Sequence, residues 1–214
     1  NHREEPGDGE YIGAEAHDRV LIGLPPVQRA FAAEIFKLGK PTVLVLLNGG
    51  SIDIGAELAA ADAAVEAFYP GVGGAAVIAN ALFGRGEHFN RWGRMPYTVY
   101  PADFVNRTSM LEHDLSVPPG RTHMYYEGMP VVPFGFGLSF TTWGLAGCPS
   151  PKMTIATDGS ADHNLTLVIT NTGGRYGGDA VVMAYLVPVD VPSQHDSRLR
   201  QKLWAFDRVT DVAP

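Results

Sequence analysis

A single cysteine, Cys148, serves the whole chain, so no intrachain disulfide can form and sulfur cannot build a structural metal site. The cysteine count therefore leaves the redox compartment open. Basic residues are also scarce: 16 Lys and Arg stand against 23 Asp and Glu, a net charge of −7. Binding to nucleic acid needs clustered cations to neutralise phosphates, and that clustering is absent, so nucleic acid is excluded as a partner. No apolar run approaches the length of a membrane span, and the polar start Asn1-His2-Arg3-Glu4-Glu5 is not a secretory apolar segment. None of the seven histidines falls in an HxxxH spacing, so no metal is implied. Ser139 stands in Gly137-Leu138-Ser139-Phe140, which is not the G-x-S-x-G elbow of a serine hydrolase. The glycine turn Gly71-Val72-Gly73-Gly74-Ala75 lacks the lysine of a phosphate-binding loop and the spacing of a dinucleotide fingerprint. No cofactor is implied.

What is present is a globular composition. Of the 214 residues 45% are hydrophobic and 18% charged, enough for one good core and a small second one. The 25 glycines and 16 prolines are dispersed among apolar runs, which points to many turns between short elements. Residues 1–23 read as a loop with a short apolar exit at Val20-Leu21-Ile22. Val27, Ala30, Phe31, Ile35 and Leu38 then form a helical stripe behind Pro25-Pro26, with Gly39 past its end, and predict a helix from about Pro26 to Leu38. Thr42 to Leu47 is continuous and β-branched-rich, as in a strand covered on both faces. A short helix is predicted over Ile54 to Ala63, a strand over Val65, Ala67 and Tyr69, and a second helix after Gly73-Gly74 that Gly84 ends. Helix, strand, helix, strand, helix and a further strand at Thr98-Val99-Tyr100 make an α/β layer with parallel strands. The chain from Tyr100 to Phe134 is irregular and long enough to wrap that layer. After the linker-like Gly147-Cys148-Pro149-Ser150-Pro151, strands are predicted at Leu165–Ile169 and Val181–Val187, with turns at Asn171-Thr172-Gly173 and Gly177-Gly178.

The order of the motifs is more specific than any of them. Tyr69-Pro70-Gly71, then Gly73-Gly74, then the helix ending Ala81-Leu82-Phe83-Gly84, then Gly93-Arg94-Met95-Pro96 and Thr98-Val99-Tyr100-Pro101 follow in turn. Pro119-Gly120-Arg121-Thr122 and the run Pro133 to Thr141 come after them. This succession resembles the C-terminal α/β sandwich domain of glycoside hydrolase family 3, especially its β-xylosidase and β-glucosidase branches. The Asn171-Thr172-Gly173 to Val181-Val182 segment is similar to the fibronectin type III-like domain that follows it in many members. The resemblance implies a partial three-layer α/β sandwich at 1–147 and an incomplete fibronectin type III-like β-sandwich at 148–214.

The resemblance also implies chemistry. Glu15-Ala16-His17-Asp18-Arg19 is similar to the family's E-G-x-D-R loop, which places the general acid/base at Glu15. Ala16 stands where the family has glycine, and Gly13 where xylosidase-like relatives carry a second acid. Glu10, in Gly9-Glu10-Tyr11, is the competing position, since other branches carry an S-G-E-G-Y form. Asp18 and Arg19 are expected to pair and anchor the loop. Tyr125, Tyr126, Phe134, Phe136, Phe140 and Trp143 are expected to pack rather than to stack on sugar. The function implied is that of the C-terminal part of a retaining exo-β-glycosidase, most like a β-xylosidase. Its nucleophile would sit in an N-terminal barrel domain outside this chain, which reads as a fragment, and its partners would be that domain and an oligosaccharide substrate. The other reading is a degenerate, non-catalytic module for carbohydrate binding or assembly. Secretion is an expectation of the resemblance, with sequons at Asn106 and Asn164.

Overall fold

The computed structural model describes residues 13, 16, 18–147, 166–189 and 198–214. Helix α1 spans Pro26–Phe36, with proline at its first turn, where the missing N–H costs no hydrogen bond. Strand β1 is Val43–Leu46, helix α2 Gly55–Ala60, strand β2 Ala63–Glu66 and helix α3 Gly74–Phe83. Gly84 closes α3 at φ 62°, the left-handed conformation that a glycine adopts without strain.

β1 and β2 pair in parallel, Val43 opposite Ala63 and Leu46 opposite Glu66. Gly23 extends this arrangement through a parallel bridge to Asp53. The core beneath consists of Leu24, Leu46 and Ile54, with Leu44, Ile52 and Leu58 packed on it. The α1 and α2 helices are tied by Arg29, whose Nε lies 3.3 Å from the buried carboxylate of Glu57. Asp53 serves two segments, accepting the Gly55 N–H at the start of α2 and the Ala102 N–H at 2.7 Å.

Three expectations change here. The second parallel strand, expected over Val65, Ala67 and Tyr69, runs over Ala63–Glu66, taking Ala63 from the expected helix and ending before Phe68, whose φ is 52°. The run at Thr98-Val99-Tyr100 is not a third parallel strand: Val99 makes an isolated antiparallel bridge to Val132. β1 is also not covered on both faces, since Val43 and Leu47 are exposed, as are Val27 and Phe31 on α1, the latter at 69%. Periodicity reports which residues share a face, but what covers the face depends on other segments.

The remaining chain carries a 3₁₀ turn at Ala102–Asn106, a short helix α4 at Thr122–Tyr125, and strands β3 Trp143–Ala146, β4 Val168–Asn171, β5 Gly178–Leu186 and β6 Lys202–Val212. β3 pairs antiparallel with β4, and β5 with β6. The fold is thus mixed α/β, with three two-stranded sheets among the described residues. No described helix is long and apolar enough to cross a membrane.

The aromatic residues do not form one cluster. Tyr126 meets Tyr100 and Phe104 edge-on, Phe134 stacks on His123 at 4.1 Å, and Phe140 packs with Phe89, Trp92 and Tyr176. These rings are spent on one another, as offset and edge-to-face pairs.

Candidate functional site at the carboxyl edge of the parallel strands

In open α/β folds the carboxyl ends of parallel strands are where ligand-facing groups collect, because loops leave the sheet there. Asn48 and Ser51 follow β1, Glu66 ends β2, and Arg19 and Tyr97 come in beside them. The Arg19 guanidinium donates to the Ser51 carbonyl at 2.8 Å. The Asn48 amide donates to the Gly50 carbonyl at 2.7 Å and to Glu66 Oε2 at 3.4 Å. The Phe68 N–H donates to the other oxygen of Glu66.

Burial sets the electrostatics of this edge. It pushes the Glu66 carboxyl above its ordinary value, against the opposing pull of the Phe68 N–H and the Asn48 amide. The Tyr97 phenol is pushed up to about 12, chiefly by burial and further by the Glu66 charge, while Arg19 pulls it down. Among the described residues the Tyr97 hydroxyl, the Asn48 carbonyl oxygen and the Ser51 hydroxyl are buried without a hydrogen-bond partner. A carboxylate, a guanidinium and three unpaired polar atoms can hold a loop or meet hydroxyl groups. They include no nucleophile poised beside a base.

Glu15 and Glu10, the two candidates for the acid, lie outside the described residues, as does His17. Their neighbours are visible on either side. Ala16 has φ 59°, in the left-handed region, which accounts for the glycine that the family pattern carries at this position. Arg19 does anchor the loop, but to Ser51 and not to Asp18. The part of Asn48, Glu66 and Tyr97 was missed in the sequence. The available signal was an Asn directly after the first predicted strand; Glu66 lay inside the second as predicted, and only the observed end of β2 at Glu66 brings it to this edge.

The chain belongs to glycoside hydrolase family 3, whose description as Glycosyl hydrolase family 3 C-terminal domain matches residues 5–140. It is 33% identical over 169 residues to a xylan 1,4-beta-xylosidase of Xylanibacter ruminicola, a match covering 79% of this chain and 18% of that protein. It is 37% identical over 160 residues to Beta-D-xylosidase 1 of Arabidopsis thaliana, covering 70% and 20%. The chain thus spans about a fifth of the length of these curated relatives. Among solved structures it is similar to a family 3 exo-beta-xylosidase in complex with a xylobiose aziridine activity-based probe. The TM-score is 0.71 at 25% identity, over 94% of this chain and 28% of the other. A beta-glucosidase from Listeria innocua in complex with glucose gives 0.68 at 26% identity, over 95% and 28%.

Proposed function

We propose that this chain is the C-terminal part of a retaining, exo-acting β-glycosidase of the β-xylosidase kind, which hydrolyses O-glycosyl bonds at the non-reducing end of plant-type oligosaccharides. The observation that carries this reading is the similarity to xylosidases and glucosidases over most of this chain and under a third of each relative. In this reading residues 1–147 are the α/β sandwich domain and 148–214 the fibronectin type III-like domain.

Glu15 is the general acid/base. It protonates the leaving glycosidic oxygen while an aspartate of the N-terminal barrel, outside these 214 residues, attacks the anomeric carbon. It then takes a proton from the water that releases the sugar. The Arg19 to Ser51 bond four residues on supports this assignment, because it fixes the loop's exit at the carboxyl edge of β1. An acid of this kind needs a raised pKa, which a cleft closed by the barrel would provide by excluding water.

The test is to follow hydrolysis of an aryl β-xyloside by proton NMR with the full-length protein and with the 214-residue chain. The expected outcome is a first-formed product of β configuration from the full-length protein and no turnover from the chain alone. An α-configured first product, or turnover by the chain alone, would overturn the reading.

A further inference from the structure

A cleft of about 380 Å³ lies between the Pro133–Phe136 turn and β5, lined among others by Arg94, Phe136, Met183, Tyr185 and Gln201. That volume falls within the range of small-ligand sites, about 300 to 1,000 Å³. Gly135 makes the cleft's tight wall possible. Its φ is +80°, and a Cβ there would come within 2.6 Å of the Tyr185 hydroxyl.

Among the described residues the charge in this cleft is uncompensated. The Arg94 guanidinium is half-buried, and its hydrogen bond, at 3.2 Å, goes to the carbonyl of its own neighbour Gly93. No carboxylate pairs with it among the described residues, and none lines the cleft. The nearby Arg208 is a second cation, itself committed to Asp179 at 3.0 Å. Burial and the Arg208 charge both lower the Arg94 pKa, as expected of a cation lacking its anion.

The other lining groups suit a ring with hydroxyls. Phe136 is 47% exposed and offers a ring face, the kind of surface that sugar C–H groups cover. The Tyr185 hydroxyl donates to the Met183 sulfur at 3.2 Å, a weak acceptor that a better one would displace. Gln201 carries both donors and an acceptor.

We propose that this cleft binds a carboxylate-bearing pyranose, a hexuronic acid unit of an oligosaccharide, with Arg94 on the carboxylate and Phe136 and Tyr185 against the ring. A neutral sugar would leave the guanidinium unpaired, and a small aliphatic acid would leave the rings uncovered. Nothing in the inference uses Glu15, and it is measured by binding without turnover, so its failure is separable from that of the glycosidase reading.

The experiment is calorimetric titration of the full-length protein with sodium glucuronate, glucose and sodium acetate at matched ionic strength. Saturable glucuronate binding is expected, at least about 10-fold tighter than glucose or acetate, because a guanidinium–carboxylate pair is bidentate and charge-assisted. Arg94→Gln and Phe136→Ala should each weaken it by about 10-fold or more. Phe136 is exposed enough for its alanine variant to fold, which keeps the test available should Arg94→Gln fail to. No saturation by glucuronate, glucose or acetate binding equal to it and weakened alike by Arg94→Gln, or unchanged glucuronate binding in Phe136→Ala would each overturn the proposal; glucose binding that neither substitution weakens belongs to the glycosidase site.

Discussion

Asp179, 2% exposed at the start of β5, receives the Arg208 guanidinium of β6 at 3.0 Å, and Arg91 approaches the same carboxylate from a loop far away in sequence. The Asp211 N–H donates to it as well, and Arg91 also reaches Asp211 at 2.9 Å. Burial works against this carboxylate's charge, but the Asp211 N–H, Arg208 and Arg91 outweigh it and hold its pKa below the ordinary value. Close by, buried Asn90 donates to the Gly177 carbonyl and accepts the Phe140 N–H, both at 2.9 Å. The 87–94 loop is thereby clamped to the β5–β6 pair.

The clamp should show in stability. Asp179→Ala is expected to cost about 2 kcal/mol, the worth of charge-assisted hydrogen bonds lost from a buried site. Arg91→Ala should cost under about 1 kcal/mol, because Arg91 is partly exposed, its 2.9 Å partner Asp211 is exposed and Asp179 is 3.7 Å away. Because the folded pKa of Asp179 is depressed, its contribution is complete above 3.8 and disappears as pH falls through the lower folded value. Urea melts from pH 7 down to pH 2 check this; the gap between wild type and Asp179→Ala should close at the acid end.

Tyr97 gives the opposite case. Its hydroxyl is buried without a partner, so Tyr97→Phe should leave stability unchanged or raise it by up to about 1 kcal/mol. The phenol is pushed from 10.0 to about 12 on folding. An acid raised in this way favours the folded state below the unfolded value and loses that advantage as pH rises through the folded one. Wild type should therefore lose more stability than Tyr97→Phe between pH 10 and 12, measured by thermal melting and by absorbance of the tyrosinate.

Ala16 carries its left-handed φ of 59° against the preference of its Cβ. Relief of that strain is worth about 1 to 2 kcal/mol, and the added freedom of an unfolded glycine takes back about 0.4 to 1 kcal/mol. Ala16→Gly should stabilise the protein by up to about 1.5 kcal/mol in a thermal melt. A destabilised variant would contradict the backbone seen at this position.

The acid/base assignment has its own signature in the full-length protein. Without an acid, leaving groups that need protonation suffer most, whereas an activated nitrophenyl group departs nearly unaided. Glu15→Ala should lose about 100-fold or more on xylobiose, far less in glycosylation by nitrophenyl xyloside, and should regain turnover with azide as the glycosyl azide forms. Glu10→Ala should do neither. The reverse pattern would move the acid to Glu10.

The helices and parallel strands from Pro26 to Gly84 were legible in the sequence because their signals are local: a period of 3.6, a β-branched run, a proline at one helix start and a glycine at one helix end. The family was legible too, through motifs whose order survives where single residues vary. The strands predicted at Leu165–Ile169 and Val181–Val187 were legible as well, within a few residues of β4 and β5, but what they pair with, and what the described segments around them do, only the tertiary structure decided. Trp143 to Ala146 became a strand by pairing with Val168 to Asn171, and Thr98-Val99-Tyr100 failed to become one because its partner is the loop at Val132. Tyr126, Phe134 and Phe140 divided among three separate packings while Phe136 stayed exposed, and Asn90, Asp179 and Arg94 acquired their environments from segments distant in sequence. Such contacts depend on which groups the chain returns to one place, and no local period encodes that. The same is true of the carboxyl edge, where Arg19, Asn48, Glu66 and Tyr97 are ordinary polar residues in sequence and one cluster in space.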